Sequence, residues 1–361
     1  ETALTSMGKS AFSGCTGLQS FTLQSDLTSA NSCFSGCTAL EAVTISEGVT
    51  TLPSNIFENC AGLREVTLPA SLTSMGNGCF SGCTGLQSLT LQSDLTSADS
   101  CFRGCTALET VSISEGVTTL PSGVFYGCTG LQNITFPLSL KSIGSKCFEG
   151  CTGLQSLILH EGVTSIGGNA FSGCTKVKEL VLPSSLNAIE DGVFSDCTGL
   201  QKLTLHEGLT SIGGSAFQRC TGIKELLLPS SLTKIGYYAF SGCTGIESMV
   251  LRSELESASS YWAPPKMETL IISEGVTSLK SNLFDYSITI KEVTLPSTLT
   301  RIGASAFRGT VETVVVKALT PPNFGSSAFS TTNPPAIFVP AAALDAYKAA
   351  TGWKEYELQG Y

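Results

Sequence analysis

The chain has 361 residues and a net charge of −9, with 14% charged residues against 42% hydrophobic ones. It carries no basic run, which argues against nucleic acid, whose binding needs clustered cations to displace counterions. No stretch reaches the ~18 unbroken apolar residues of a membrane span, so the hydrophobicity is spread along the chain rather than concentrated in an anchor.

The spread is periodic. Fifteen aromatic residues, from Phe12 to Phe329 with Trp262 in place of one Phe, recur at intervals of 22 or 23 residues. A period in the twenties predicts a solenoid, whose units bury their apolar faces only by stacking on one another. Leu4, Met7 and Phe12 already hold repeat positions, so the chain is expected to start inside a repeat, with any signal peptide or anchor lost from view.

One unit serves as a sample. In the run from Phe171 to Ile189 the apolar positions are Phe171, Cys174, Val177, Leu180, Leu182, Leu186 and Ile189. Val177, Leu180 and Leu182 end in a period of two, which predicts a short strand with one buried face. Pro183 cannot extend the ladder and turns the chain. The segment Ala170-Phe171-Ser-Gly173-Cys174 is too short for a stable helix and suits one helical or 3₁₀ turn. Each coil is therefore expected to add one strand to a parallel sheet, with turns and short helical pieces on the opposite side.

Larger blocks lie over this period. Residues 12–79 and 80–147 are near copies three repeats long, 148–193 and 194–239 are near copies two repeats long, and 240–306 is a worn copy of the longer block. In Ser259-Ser-Tyr-Trp-Ala-Pro-Pro no Cys follows the aromatic residue, which predicts an irregular coil. In 339–361 the helical spacing of Leu344, Tyr347 and Lys348, a stop at Gly352 and an apolar cover at Trp353 predict a cap. With no linker breaking the period, the expected organisation is a single solenoid domain over 1–338 followed by this cap at 339–361.

The unit Leu209-Thr-Ser-Ile212-Gly213-Gly-Ser-Ala216-Phe217-Gln-Arg-Cys220-Thr-Gly-Ile223-Lys-Glu-Leu226-Leu-Leu228-Pro229 resembles the leucine-rich repeats of the BspA-like family, L-x-x-I-G-x-x-A-F-x-x-C-x-x-L-x-x-L-x-L-P. The likeness covers nearly the whole chain and extends to its C-terminal stretch. It implies an α/β fold: a right-handed leucine-rich-repeat solenoid of about 15 coils of 22–23 residues, with its parallel β-sheet on a concave face and short helical or 3₁₀ turns opposite. It also implies a secreted or cell-surface bacterial protein with a role in adhesion to a host or neighbouring-cell protein.

Fifteen cysteines raise the question of disulfides or metal. Eleven of them follow the repeat Phe by three residues, and Cys33, Cys79, Cys101 and Cys147 directly precede a Phe. Equivalent Cβ atoms on coils ~4.8 Å apart lie farther from each other than a relaxed disulfide prefers. A single file also lacks the converging pairs of a zinc site, so a reduced structural ladder is expected. His160 and His206, the only histidines, hold equivalent positions two coils apart, with no ligand set or oriented nucleophile around them. Acids recur after the strand, and the pairs Asp26/Glu47, Asp94/Glu115 and Glu254/Glu274 could share calcium, but solvated turn carboxylates are the commoner case. No catalytic motif, cofactor site or metal site is predicted. Asn133-Ile-Thr135 is a glycosylation sequon, relevant only to a eukaryotic source.

The sharper signal is the central outward position of each strand. It reads Thr22, Thr44, Thr67, Thr90, Ser112 and Thr135, then Ile158, Val181, Thr204, Leu227, Val250 and Ile271. Neighbouring apolar side chains on a face open to water predict an interaction patch, although β-branched residues also simply suit strands. His160, Lys202, His206 and Arg252, with Glu179 and Glu225, would form its polar rim. Non-enzymatic protein binding is thus the expected function. A glycan-binding module and a structural spacer for a lost domain are the alternatives. The outward strand positions offer no aromatic platform for sugar, and Tyr237, Tyr238 and Tyr261 lie on turns.

Overall fold

A computed structural model describes residues 6–361 except 28, 96, 260 and 285–287, so Leu4 lies outside the described residues. The chain winds as a parallel β-solenoid of about 15 turns with very little helix. Its contacts group it into two units, Glu1–Ser185 with Val193–Gly199, and Leu186–Gly192 with Leu200–Tyr361.

In the first unit the strands Ser20–Leu23, Ala42–Ile45 and Glu65–Thr67 form one parallel sheet, and Ser88–Leu91, Thr110–Ile113 and Asn133–Thr135 form another. The period-two pattern sets their register. Val43 pairs with Phe21 and Val66 on the core side, while Thr22, Thr44 and Thr67 pair on the side facing water. Segment 154–159 departs from expectation. It forms no strand, yet Leu157 and Leu159 stay buried around an exposed Ile158, so the alternation of side chains outlasts the ladder.

The second unit carries a parallel sheet of seven strands in chain order: Glu225–Leu228, Ser248–Leu251, Lys266–Ile272, Thr289–Leu295, Thr310–Val316, Ala336–Val339 and Leu358–Gly360. Three of these have seven residues, longer than any other strand. They follow Cys243, the last cysteine, where Met267, Ile290 and Val311 carry the buried face further along the coil. The predicted irregular coil is the first of the three. Trp262 still enters the core there, and its Nε1 donates to the Leu283 carbonyl at 2.8 Å.

Between the strands the expected short 3₁₀ turns are present, and a further feature accompanies them. That feature is a second ladder of two-residue strands, such as Thr119–Leu120, Ser142–Ile143 and Ser165–Ile166 in the first unit. The turns carry 3₁₀-type bonds, including Ser172 N–H to the Asn169 carbonyl and Cys174 N–H to the Phe171 carbonyl. Asn169 (φ 58°) and Gly173 (φ 75°) are left-handed, which stops helix propagation. The freed N–H of Phe171 reaches the Val193 carbonyl of the next coil instead. An isolated turn is thereby converted into a link between coils.

The core is a stack of rings and thiols. Neighbouring Phe rings lie from 5.1 Å (Phe307 and Phe329) to 6.0 Å (Phe102 and Phe125) apart, nearly parallel, which supplies both apolar burial and favourable ring contact. The ladder cysteines from Cys37 to Cys197, and Cys243, donate their thiols to the carbonyl of the Phe one coil back, as Cys60 does to Phe34 and Cys128 to Phe102, both at 3.1 Å. All fifteen are free thiols, fourteen of them buried and Cys15 half-buried. At the C-terminal end lie the short helix Leu344–Ala349 and the 3₁₀ turns Ala341–Ala343 and Trp353–Glu355. Tyr347 and Trp353 are buried, and they donate to the Ala318 and Pro322 carbonyls at 2.9 and 2.8 Å.

Candidate functional site: the outward face of the strands

The loops that leave the strands are tied down by the recurring acids. Asp26 accepts from Thr50 N–H at 2.8 Å, Thr50 hydroxyl at 2.7 Å and Thr51 N–H at 2.9 Å, all on the next coil. Glu161 takes Ser184, Glu207 takes Ser230 and Glu274 takes Ser297 in the same way, through both the N–H and the hydroxyl. Each carboxylate thus satisfies donors that the turn would leave open. Side-chain and backbone hydrogen bonds from Thr277 hold Glu254 below its usual range, and those from Ser297 do so for Glu274. At Asp26 desolvation pushes the other way, but the hydrogen bonds from Thr50 and Thr51 together outweigh it. These acids are staples between coils, and among the described residues no cluster of three or more His, Cys, Asp or Glu side chains is arranged to hold a metal ion.

The outward positions follow the sequence pattern. In the first unit Thr90, Ser112 and Thr135 align rung to rung, a hydroxylated row. A depression of about 230 Å³ between Glu65–Thr67 and Ser88–Leu91 is lined by the polar Glu65, Thr67, Thr90 and Gln92 among others. Later in the same unit the row changes character, with Ile158 75% and Val181 51% exposed at equivalent positions of consecutive repeats.

In the second unit the sheet brings Leu227, Val250 and Ile271 into direct register. Leu227 is 51% and Ile271 42% exposed, and Val250 is half-buried between them. The row does not stop there. Ile271 pairs with Thr294, Thr294 with Val315 and Val315 with Phe338, and these last three are half-buried. Val315 and Phe338 were missed in the sequence because the long strands and the loss of cysteine obscure the register after Trp262. Counting alternation back from Val316 and Val339, which are buried, would have found them.

The rim residues have other engagements. Arg252 forms an ion pair with Glu207, which binds it beside the staple to Ser230. His206 donates Nδ1–H to the Glu207 carbonyl at 3.0 Å, which fixes its tautomer because a carbonyl only accepts. Its Nε2 and both ring nitrogens of His160 are buried with no hydrogen-bond partner among the described residues. Lys202 is exposed at the start of the strand Lys202–Thr204.

This construction defines a leucine-rich-repeat β-solenoid. The model of the BspA type leucine rich repeat region, six copies long, matches residues 1–100, 98–224 and 188–313, and the chain belongs to that family. A leucine-rich repeat protein from Bacteroides ovatus is similar at 21% identity, over 89% of this chain and 92% of its own, with a TM-score of 0.52. A leucine rich cell surface protein from Faecalibacterium prausnitzii shares 24% identity over 77% of this chain and 79% of its own, at a TM-score of 0.43. The pneumococcal vaccine antigen PcpA shares 16% identity over 99% and 92%, at 0.49. No curated protein sequence matches the chain. No described helix is long and apolar enough to cross a membrane.

Proposed function

We propose that this chain is a non-enzymatic binding protein of the cell surface or the extracellular space, which engages a protein ligand through the outward face of its strands. The observation that carries this is the row Leu227, Val250, Ile271, Val315 and Phe338, broken only by Thr294, on neighbouring strands of one sheet. Apolar side chains in register on a face open to water favour contact with another apolar surface, and clusters of this kind mark interaction sites. Membership of the BspA-type family supports a binding role. The printed name of the Faecalibacterium protein supports the location. Ile158 and Val181, exposed in the first unit, belong to the same proposed surface chemistry.

The test is capture of mucosal and extracellular-matrix proteins on the immobilised chain, compared with Leu227→Glu/Ile271→Glu. Two buried-face neighbours flank each substituted position, so the fold should survive. Retention should fall at least tenfold; equal retention by the double variant would overturn the assignment.

A further inference from the structure

A second surface lies on turns of the second unit, just after the short strands Lys234–Ile235 and Ser257–Ala258. In each coil of this unit the turn residue just before the repeat aromatic is left-handed. Its occupants in this unit are Gly192, Ser215, Tyr238, Tyr261, Asn282, Ser305 and Ser327. Glycine, asparagine and small polar residues suit that conformation, whereas a bulky aromatic side chain there is an outlier. Tyr238 (φ 59°) and Tyr261 (φ 58°) accept it on consecutive coils. Neither is needed by the core, since both are exposed, as is Tyr237. Their rings stack on each other at 5.7 Å with planes 10° apart. The repeat imposes this backbone conformation; what these two coils add is a stacked pair of exposed aromatic rings, a surface suited to binding.

The neighbouring coil leaves room beside this pair. Where Tyr237 and Tyr238 stand, the preceding coil has Gly214 and Ser215. A Cβ at Gly214 would lie 3.4 Å from both the Tyr237 carbonyl oxygen and Asp191 Oδ1, so the step is kept low by close approach. Asp191 is exposed and gives one oxygen, Oδ1, to Gly214 N–H at 2.6 Å, which leaves Oδ2 to accept from a ligand. Each tyrosine covers one face of the other, and the small residues Gly214 and Ser215 stand one coil before Tyr237 and Tyr238.

We propose that Tyr238 and Tyr261, with Tyr237 and Asp191, form a binding site for a neutral, β-linked pyranose glycan. The equatorial substituents of such a sugar leave a flat face of C–H bonds that stacks on an aromatic ring, and its hydroxyls donate to a carboxylate. The free face of one ring suits a single sugar unit and falls well short of the ~1,000 Å² that a stable protein interface buries. The exposed Asp191 and the net charge of −9 disfavour uronic or sialic acids. This site is independent of the strand face proposed above.

The experiment titrates the full chain with cellotetraose, laminaritetraose and lacto-N-tetraose, and with a heparin tetrasaccharide as the anionic control, following tyrosine ring resonances by NMR. At least one neutral probe should saturate and shift those resonances. Tyr238→Ser/Tyr261→Asn, which restores residues common at this turn position, should weaken that probe at least tenfold without lowering Tm. Asp191→Asn should weaken it about threefold, and Leu227→Glu/Ile271→Glu should leave it unchanged. Saturation by none of the neutral probes, preference for the heparin fragment, or full binding by the tyrosine variant would each overturn the proposal. Should the double variant lose its fold, Tyr238→Ser alone decides by the same criterion.

Discussion

A single cysteine illustrates how the repeat is locked. The Phe102 carbonyl receives Cys105 N–H from its own coil at 3.3 Å and the Cys128 thiol from the next at 3.1 Å, so both of its lone pairs are used. Burial pushes the Cys128 and Cys197 thiols up to about 12. Neutral thiols are poor nucleophiles. Iodoacetamide at pH 8 should therefore modify Cys15 alone in the native chain and all fifteen cysteines after unfolding, as counted by intact mass. Cys128→Val keeps the packing but removes one donor, and should cost about 0.5–1 kcal/mol in denaturant unfolding. The sequence identified these residues as core from their register. It did not reveal the thiol-to-carbonyl bond, which depends on the distance between coils and leaves no mark in a pattern of residue types.

At the scale of the element, strand and loop differ in how they were legible. Alternation placed Leu226, Leu228 and their equivalents inward and Leu227 outward without help from the structure. It also predicted a strand at 154–159, where burial alternates but the ladder is absent. Side-chain burial and backbone pairing are separate conditions, and only the first is written in hydrophobicity. The acids after the strands were legible as turn residues, but their partners lie 23 to 25 residues onward, as with Asp26 and Thr51 or Glu274 and Ser297. Because the folded values of Glu254 and Glu274 are depressed, their contribution to stability is fully present above the unfolded carboxylate range. It is lost as the pH falls below about 4 and through the folded values. Glu254→Gln/Glu274→Gln should lower Tm at pH 7 and narrow the gap to the native chain at pH 3. A constant gap at both pH values would show that the charge contributes nothing.

For the whole molecule, the regular spacing of aromatic residues made the solenoid legible from end to end, because a stack of equal coils repeats its core requirements. Function is written in the departures from that spacing. The change from hydroxyl to apolar outward positions could be read as far as Ile271, and Val315 and Phe338 became visible only with the register of the long strands. We further propose that residues 339–361 cap the last coil, since the final strand Leu358–Gly360 pairs beyond Ala336–Val339 while Trp353 packs edge-on to Phe324 at 4.8 Å. Trp353→Ala should cost about 3–5 kcal/mol in the second unit, measured by hydrogen exchange of its strands. A loss confined to the last residues would contradict a capping role.

The central claim is that the outward strand row contacts a protein ligand, and oxidative side-chain footprinting of the chain with its retained ligand tests it most directly. Leu227, Ile271 and Phe338 should lose at least half of their modification on binding, while Thr44 and Thr90 on the hydroxylated rows keep theirs. Unchanged modification of the apolar row, with protection appearing elsewhere, would contradict the account.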